Sequence, residues 1–112
     1  MKLLITLLVT LGISMGSYGA FETGSDLLSN CESEANVHRT ACLGYVWGVV
    51  DTYQTVMKHG FMPATICIPN QVTVGQQTEV VVKYLNEHPE DLHYRATGEV
   101  YSAIKEAYPC KD

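Results

Sequence analysis

Positive charge is scarce in this sequence of 112 residues, since seven Lys and Arg residues face 12 Asp and Glu residues, for a formal net charge of -5. A nucleic-acid-binding domain usually needs an excess of cations, because phosphate contacts supply much of its affinity. The length leaves room for one small domain, which excludes large catalytic architectures. Charged residues are few at 17%, and hydrophobic residues reach 46%, which argues against disorder.

A hydrophobic run long enough to cross a membrane is also absent. The longest apolar segment covers residues 3–13, and a transmembrane helix needs about 20 apolar residues. One N-terminal cation precedes this segment, and the small residues Ser17 and Gly19 follow it, as in a cleavable secretory signal. We therefore predict a signal peptide over residues 1–19 and one exported domain over residues 20–112, with no membrane attachment after cleavage.

The chain has no Cys-x2-Cys pair of the kind that binds structural zinc. An even number of cysteines in a short exported chain instead predicts two disulfides. The cysteines are Cys31, Cys42, Cys67 and Cys110. His88 and His93 are five residues apart, which does not place them on one helix face, and the acids of the predicted helices, including Glu99, mostly fall on exposed faces. We therefore expect no metal site, no cofactor and no catalytic residue.

Hydrophobic periodicity predicts four helices. Apolar side chains recur at three- and four-residue steps, and capping residues, glycine or proline mark the ends, with the capping-box spacing at Thr73 and Gln76. The predicted helices cover residues 25–32, 40–59, 73–87 and 89–107, and residues 32–40 form a polar connector between the first two. The fold class is therefore all-α: a compact up-and-down four-helix domain stapled by two disulfides.

The order of the helices favours one of the three possible disulfide pairings. In an up-and-down arrangement, the end of the first helix lies near the start of the second, which pairs Cys31 with Cys42. The segments before the third helix and after the fourth lie at the opposite pole, which pairs Cys67 with Cys110. Each bridge is expected to add about 3 to 4 kcal/mol of stability by restricting the unfolded chain.

Two glycines and a tryptophan stand out in the second predicted helix. Gly44 and Gly48 each weaken a helix by about 1 kcal/mol relative to alanine, and close approach by another backbone is the expected compensation. Trp47 lies off the main apolar stripe, so either a second packed face or an intermolecular contact covers it. We favour packing.

Four segments carry a family resemblance. They are CLGYVWGVVD at residues 42–51, CIP at residues 67–69 followed by Val72 and Thr73, VVVKYL at residues 80–85 with HPE at residues 88–90, and AYPC at residues 107–110. In this order and spacing they resemble the Rap/Tai family of immunity proteins, which neutralise peptidoglycan amidases delivered by type VI secretion. The resemblance covers about residues 21–110.

The resemblance implies a small helical periplasmic protein, often dimeric, that binds its cognate amidase toxin and blocks the active-site cleft. The toxins of the better-known members are cysteine peptidases that cut the peptide cross-bridges of the cell wall. We therefore expect a periplasmic immunity protein, not an enzyme, that protects the producing cell and its kin. The alternative is a periplasmic acid-stress chaperone-like helical protein.

Exposed loops are expected to determine which toxin such an inhibitor binds. The first candidate is the loop after the second helix, with partner-binding residues His59, Phe61, Met62 and Pro63. The second is the polar connector, with Glu32, Glu34 and Arg39, whose acids would complement a basic rim on the toxin and speed association.

Overall fold

The computed structural model describes residues 21–111, and four α-helices account for most of this part of the chain. They are α1 (Gly24–Cys31), α2 (Asn36–Lys58), α3 (Val74–Glu87) and α4 (Ala96–Ala107), with a short 3-10 turn at Pro89–Asp91 before α4. Extended pairing among the described residues is limited to isolated bridges from Thr23 to Arg95 and from Ile66 to Pro109. The predicted all-α four-helix fold is confirmed. The predicted signal peptide lies outside the described residues.

Capping boxes fix the first residues of α1 and α3. The Thr23 hydroxyl accepts a hydrogen bond from the Asp26 amide at 3.1 Å, and the Asp26 carboxylate accepts one from the Thr23 amide. Thr73 and Gln76 exchange the same pair of bonds at the start of α3. Each box satisfies amides that a helix leaves free at its N-terminus, so the capping pattern at Thr73 is confirmed.

Helix α2 begins at Asn36 rather than at the predicted Thr40. The Ser33 hydroxyl accepts a hydrogen bond from the Ala35 amide at 3.1 Å and lies 3.0 Å from Nδ1 of His38. These bonds stabilise a first turn whose side chains face solvent, where Val37 is 71% exposed. Hydrophobic periodicity cannot detect such a turn, because periodicity reports only a buried face.

Helix α4 begins at Ala96 rather than at the predicted Pro89. Pro89 does start a helical turn, but that turn is a short 3-10 segment. The segment after this turn is not helical and instead contacts α1. The carbonyls of Leu92 and Tyr94 accept hydrogen bonds from the amides of Ser25 and Gly24 at 2.9 and 3.0 Å. These amides belong to the free N-terminal end of α1, so a tertiary contact replaces the expected first turns of α4.

Every helix contributes to one hydrophobic core. Six large side chains are fully buried, namely Leu27 from α1, Val46 from α2, Val81 and Leu85 from α3, and Val100 and Ile104 from α4. Disulfides join Cys31 to Cys42 and Cys67 to Cys110, which confirms the predicted pairing. None of the helices in residues 21–111 combines the length and apolar character that crossing a membrane requires.

Candidate protein-binding surface

The loop after α2 starts with a well-defined helix end. Gly60 adopts φ of +76°, a left-handed conformation that glycine reaches without steric cost. The Gly60 amide donates to the carbonyl of Met57 at 3.1 Å, and the Phe61 amide donates to the carbonyl of Val56 at 3.0 Å. These two bonds form a Schellman motif, which fixes the direction in which the chain leaves the helix.

Phe61 is the most exposed large apolar side chain in this loop. In a Schellman motif, the residue at the Phe61 position usually packs against the residue at the Val56 position. Here Phe61 remains 81% exposed, and its ring centroid lies 6.4 Å from that of His59. Pro63 is exposed as well, whereas Met62 is half-buried. The four loop residues predicted from the sequence therefore lie together, with Phe61 as the protruding member.

The far end of the loop is anchored to the core. The hydroxyls of Thr65 and Tyr101 lie 2.8 Å apart, and Ile66 is buried. The Cys67 amide then donates to the carbonyl of Tyr108 at 2.8 Å, and Cys67 is bonded to Cys110. The exposed segment from Phe61 to Pro63 is thus held at both ends.

The polar connector is shorter than predicted, because Arg39 belongs to the first turn of α2. Its guanidinium donates to the carbonyl of Ser33 at 2.8 Å and to the side-chain oxygen of Asn36. Arg39 therefore helps to hold the connector in place. Glu32 accepts a hydrogen bond from the side-chain amide of Asn86 at 3.3 Å, and Glu34 is exposed.

The two predicted sets of binding residues do not form a single site. The connector precedes α2 and the Phe61 loop follows it, and α2 is 23 residues long. At 1.5 Å per residue, roughly 33 Å of helix separates the two ends. A partner that contacts both sets would have to extend along the outer face of α2.

That outer face presents two glycines and a tryptophan to solvent. A Cβ atom added to Gly44 or Gly48 would meet nothing within 4 Å, so the predicted close approach of another backbone is not found within the described chain. Trp47 is 60% exposed, so the packing interpretation is wrong for residues 21–111. The glycines border an open groove of about 650 Å³ whose other walls include Val56 and Met62.

This face offers contact area and shape rather than reactive groups. All four cysteines are in disulfides. Across residues 21–111, no three His, Cys, Asp or Glu side chains are placed to share a metal ion. The anchored apolar protrusion at Phe61 and the exposed outer face of α2 both suit protein binding.

Fold and surface thus define a small helical protein, stabilised by two disulfides, with exposed apolar contact sites. The family model for Rap1a immunity proteins matches residues 23–110, nearly the whole described chain. The chain belongs to the Rap1a immunity protein family, which confirms the resemblance seen in the sequence. A comparison with curated proteins found no match. Immunity proteins bind a cognate toxin and are generally not enzymes, and family membership indicates immunity to a type VI effector.

Proposed function

We propose that the chain is a periplasmic immunity protein that binds a cognate type VI peptidoglycan amidase and occludes its active-site cleft. In this proposal, residues 1–19 direct export and residues 20–112 form the protective domain in the periplasm. The observation that carries the proposal is the 81% exposed Phe61, on a loop held at both ends, in a chain of an immunity family.

Occlusion needs a protrusion that keeps its shape before it meets the toxin. The Schellman motif at Gly60 and the anchor at Thr65 already restrict the loop in the free protein. Less conformational entropy is then lost when the loop enters a cleft. Phe61 would supply the buried anchor, since a few large side chains usually dominate binding energy. Its neighbours His59, Met62 and Pro63 would surround this anchor.

The connector has a supporting role in this proposal. Glu32 and Glu34 would face a basic rim on the toxin and raise the association rate, an effect that salt weakens. Arg39 would contribute by keeping the connector in its shape, through its bonds to Ser33 and Asn36.

The purified chain from residue 20 onward is expected to form a stoichiometric complex with its cognate type VI amidase and to abolish hydrolysis of peptidoglycan fragments at neutral pH. Binding is measured by calorimetry and activity by product analysis. Suppression of client aggregation at about pH 2, without binding of any amidase, would instead establish the acid-stress chaperone alternative.

We also propose that two copies of the chain pair through the outer face of α2, where Gly44 and Gly48 would allow two helices to approach closely. Gly48→Leu is expected to convert the dimer into a monomer in sedimentation experiments, because the added side chain would separate the helices. A Cβ atom at Gly48 would meet nothing within 4 Å in the monomer, so folding should be unaffected. Gln71→Leu, at an exposed position in the loop before α3 and outside the face of α2, is the control. A chain that sediments as a monomer before any substitution excludes the proposed pairing.

A further inference from the structure

A second pocket lies away from the Phe61 loop, between the end of α3, the turn at Pro89–Asp91 and the start of α4. It is open to solvent and has a volume of about 650 Å³. Its aromatic walls are formed by Phe21, Tyr84 and Tyr94. The Tyr84 ring is held in place by stacking on His88, with 3.9 Å between the ring centroids. The volume is within the usual range of small-ligand pockets.

A carboxylate without a partner faces this pocket. Glu99 lines it, yet the residue is only 5% exposed. Gly24 packs so closely that a Cβ added there would lie 3.4 Å from Cγ of Glu99. Among residues 21–111, no donor forms a hydrogen bond or an ion pair with this carboxylate. No side-chain oxygen of the described residues is both sealed from solvent and without a partner, so the Glu99 carboxylate touches solvent in the pocket, where a cationic ligand can pair with it directly.

The nearest arginine does not neutralise Glu99. Arg95 lies one helical turn before it, at the i,i+4 spacing that allows an ion pair. Its guanidinium instead lies over the Phe21 ring, 4.0 Å from the ring centroid. Asp91 adds a second carboxylate to the same pocket. The pocket is therefore lined by two carboxylates and by two basic side chains, Arg95, which lies over the Phe21 ring, and His93.

The ionisation of Glu99 reflects its burial first and the neighbouring charges second. Burial raises the pKa of the Glu99 carboxyl, and the charges of Asp91 and Glu90 raise it further, whereas His88 and His93 lower it. Tyr84 of α3 lines the same pocket. A bound cation would act in the same direction as the two histidines and favour the charged carboxylate.

We propose that this pocket binds an organic cation, an ammonium or guanidinium group on an apolar stem, with Glu99 and Asp91 pairing with the charge. The aromatic walls suit both parts of such a ligand, because ring faces attract cations and ring bodies cover apolar stems. The cation comes either from a free amine or from a basic side chain of a bound peptide.

The test uses the chain from residue 20 onward and two small probes in a nuclear magnetic resonance titration. n-Butylamine carries the charge on an apolar stem, and n-butanol has the same stem without the charge. We expect saturable shifts at the amides of Gly98 and Glu99 with n-butylamine only. Glu99→Gln should weaken the association constant by about tenfold, as expected for a lost charged hydrogen bond. Asp91→Asn should weaken it less.

Glu106→Gln is the matched control, because it removes the same charge from an exposed site on α4 outside this pocket. It should change the association constant by less than about twofold. Equal binding by Glu99→Gln, equal binding of n-butanol, or no saturation with n-butylamine would each overturn the proposal. Nα-acetyl-lysine methylamide distinguishes the two sources of the cation. Tighter binding than n-butylamine indicates a basic side chain of a peptide, and weaker binding indicates a free amine. No toxin is present, so the outcome does not depend on the proposed inhibition.

Discussion

Replacing Cys67 and Cys110 together by serine is expected to lower the free energy of unfolding by about 4 kcal/mol, the larger of the two disulfide effects. The two residues are 43 positions apart in the sequence, whereas Cys31 and Cys42 are 11 apart. A longer closed loop restricts the unfolded chain more, so the shorter pair should contribute only about 3 kcal/mol. For a domain of this size, the difference between the two variants corresponds to roughly 4 to 8 °C in Tm.

Urea denaturation of both double-serine variants measures the effect. The Cys31 and Cys42 variant is the matched control, because it also converts one disulfide into two hydroxyls. A larger loss for the shorter pair would show that strain or residual structure, and not loop length, determines the contributions. The Cys67 variant should also loosen the base of the Phe61 loop, because the Cys67 amide bonds to Tyr108 beside the disulfide.

Phe61→Ala is expected to weaken inhibition of the cognate amidase by about 30-fold, the effect of losing one dominant interface side chain. The free energy of unfolding should change by no more than about 0.5 kcal/mol, because Phe61 is exposed and packs little in the free protein. The measurement is the inhibition constant, with unfolding recorded in parallel.

Tyr94→Ala is the control for this experiment. Tyr94 is also an exposed aromatic side chain, at 57%, but it lies before α4 and belongs to neither predicted set of toxin-binding residues. Its inhibition constant should stay within about twofold of the unsubstituted chain. The loop would be excluded as the inhibitory element if neither Phe61→Ala nor Met62→Asp altered inhibition. The connector would then be tested with Glu32→Gln and Glu34→Gln.

The sequence predicted the parts of the fold that depend on local pattern. The periodic stripe of α2, the capping box at Thr73 and the pairing of Cys31 with Cys42 all follow from spacing along the chain. The start of α4 could not be predicted in this way, because the residues before Ala96 accept hydrogen bonds from amides at the other end of the domain. No local pattern contains that contact.

The binding surface was predicted only in part, for a related reason. Glycine and proline around Phe61 predicted an apolar loop, and Phe61 is indeed exposed. Glu99 was expected on an exposed face, but it is buried because Gly24 of α1 packs against its side chain. Trp47 was expected to pack, but no described residue covers it. Burial of each of these side chains depends on tertiary neighbours, which helix periodicity does not specify.

The contact between α1 and the segment before α4 also bears on the order of events during folding. The amides of Gly24 and Ser25 find their acceptors only at Tyr94 and Leu92, and the Glu22 carbonyl accepts from the amide of Ala96. The first helix of the domain therefore cannot complete its hydrogen bonds until nearly the whole chain has emerged. Because these contacts join residues about 70 positions apart in the sequence, they are expected to form late in folding, after the local contacts within each helix.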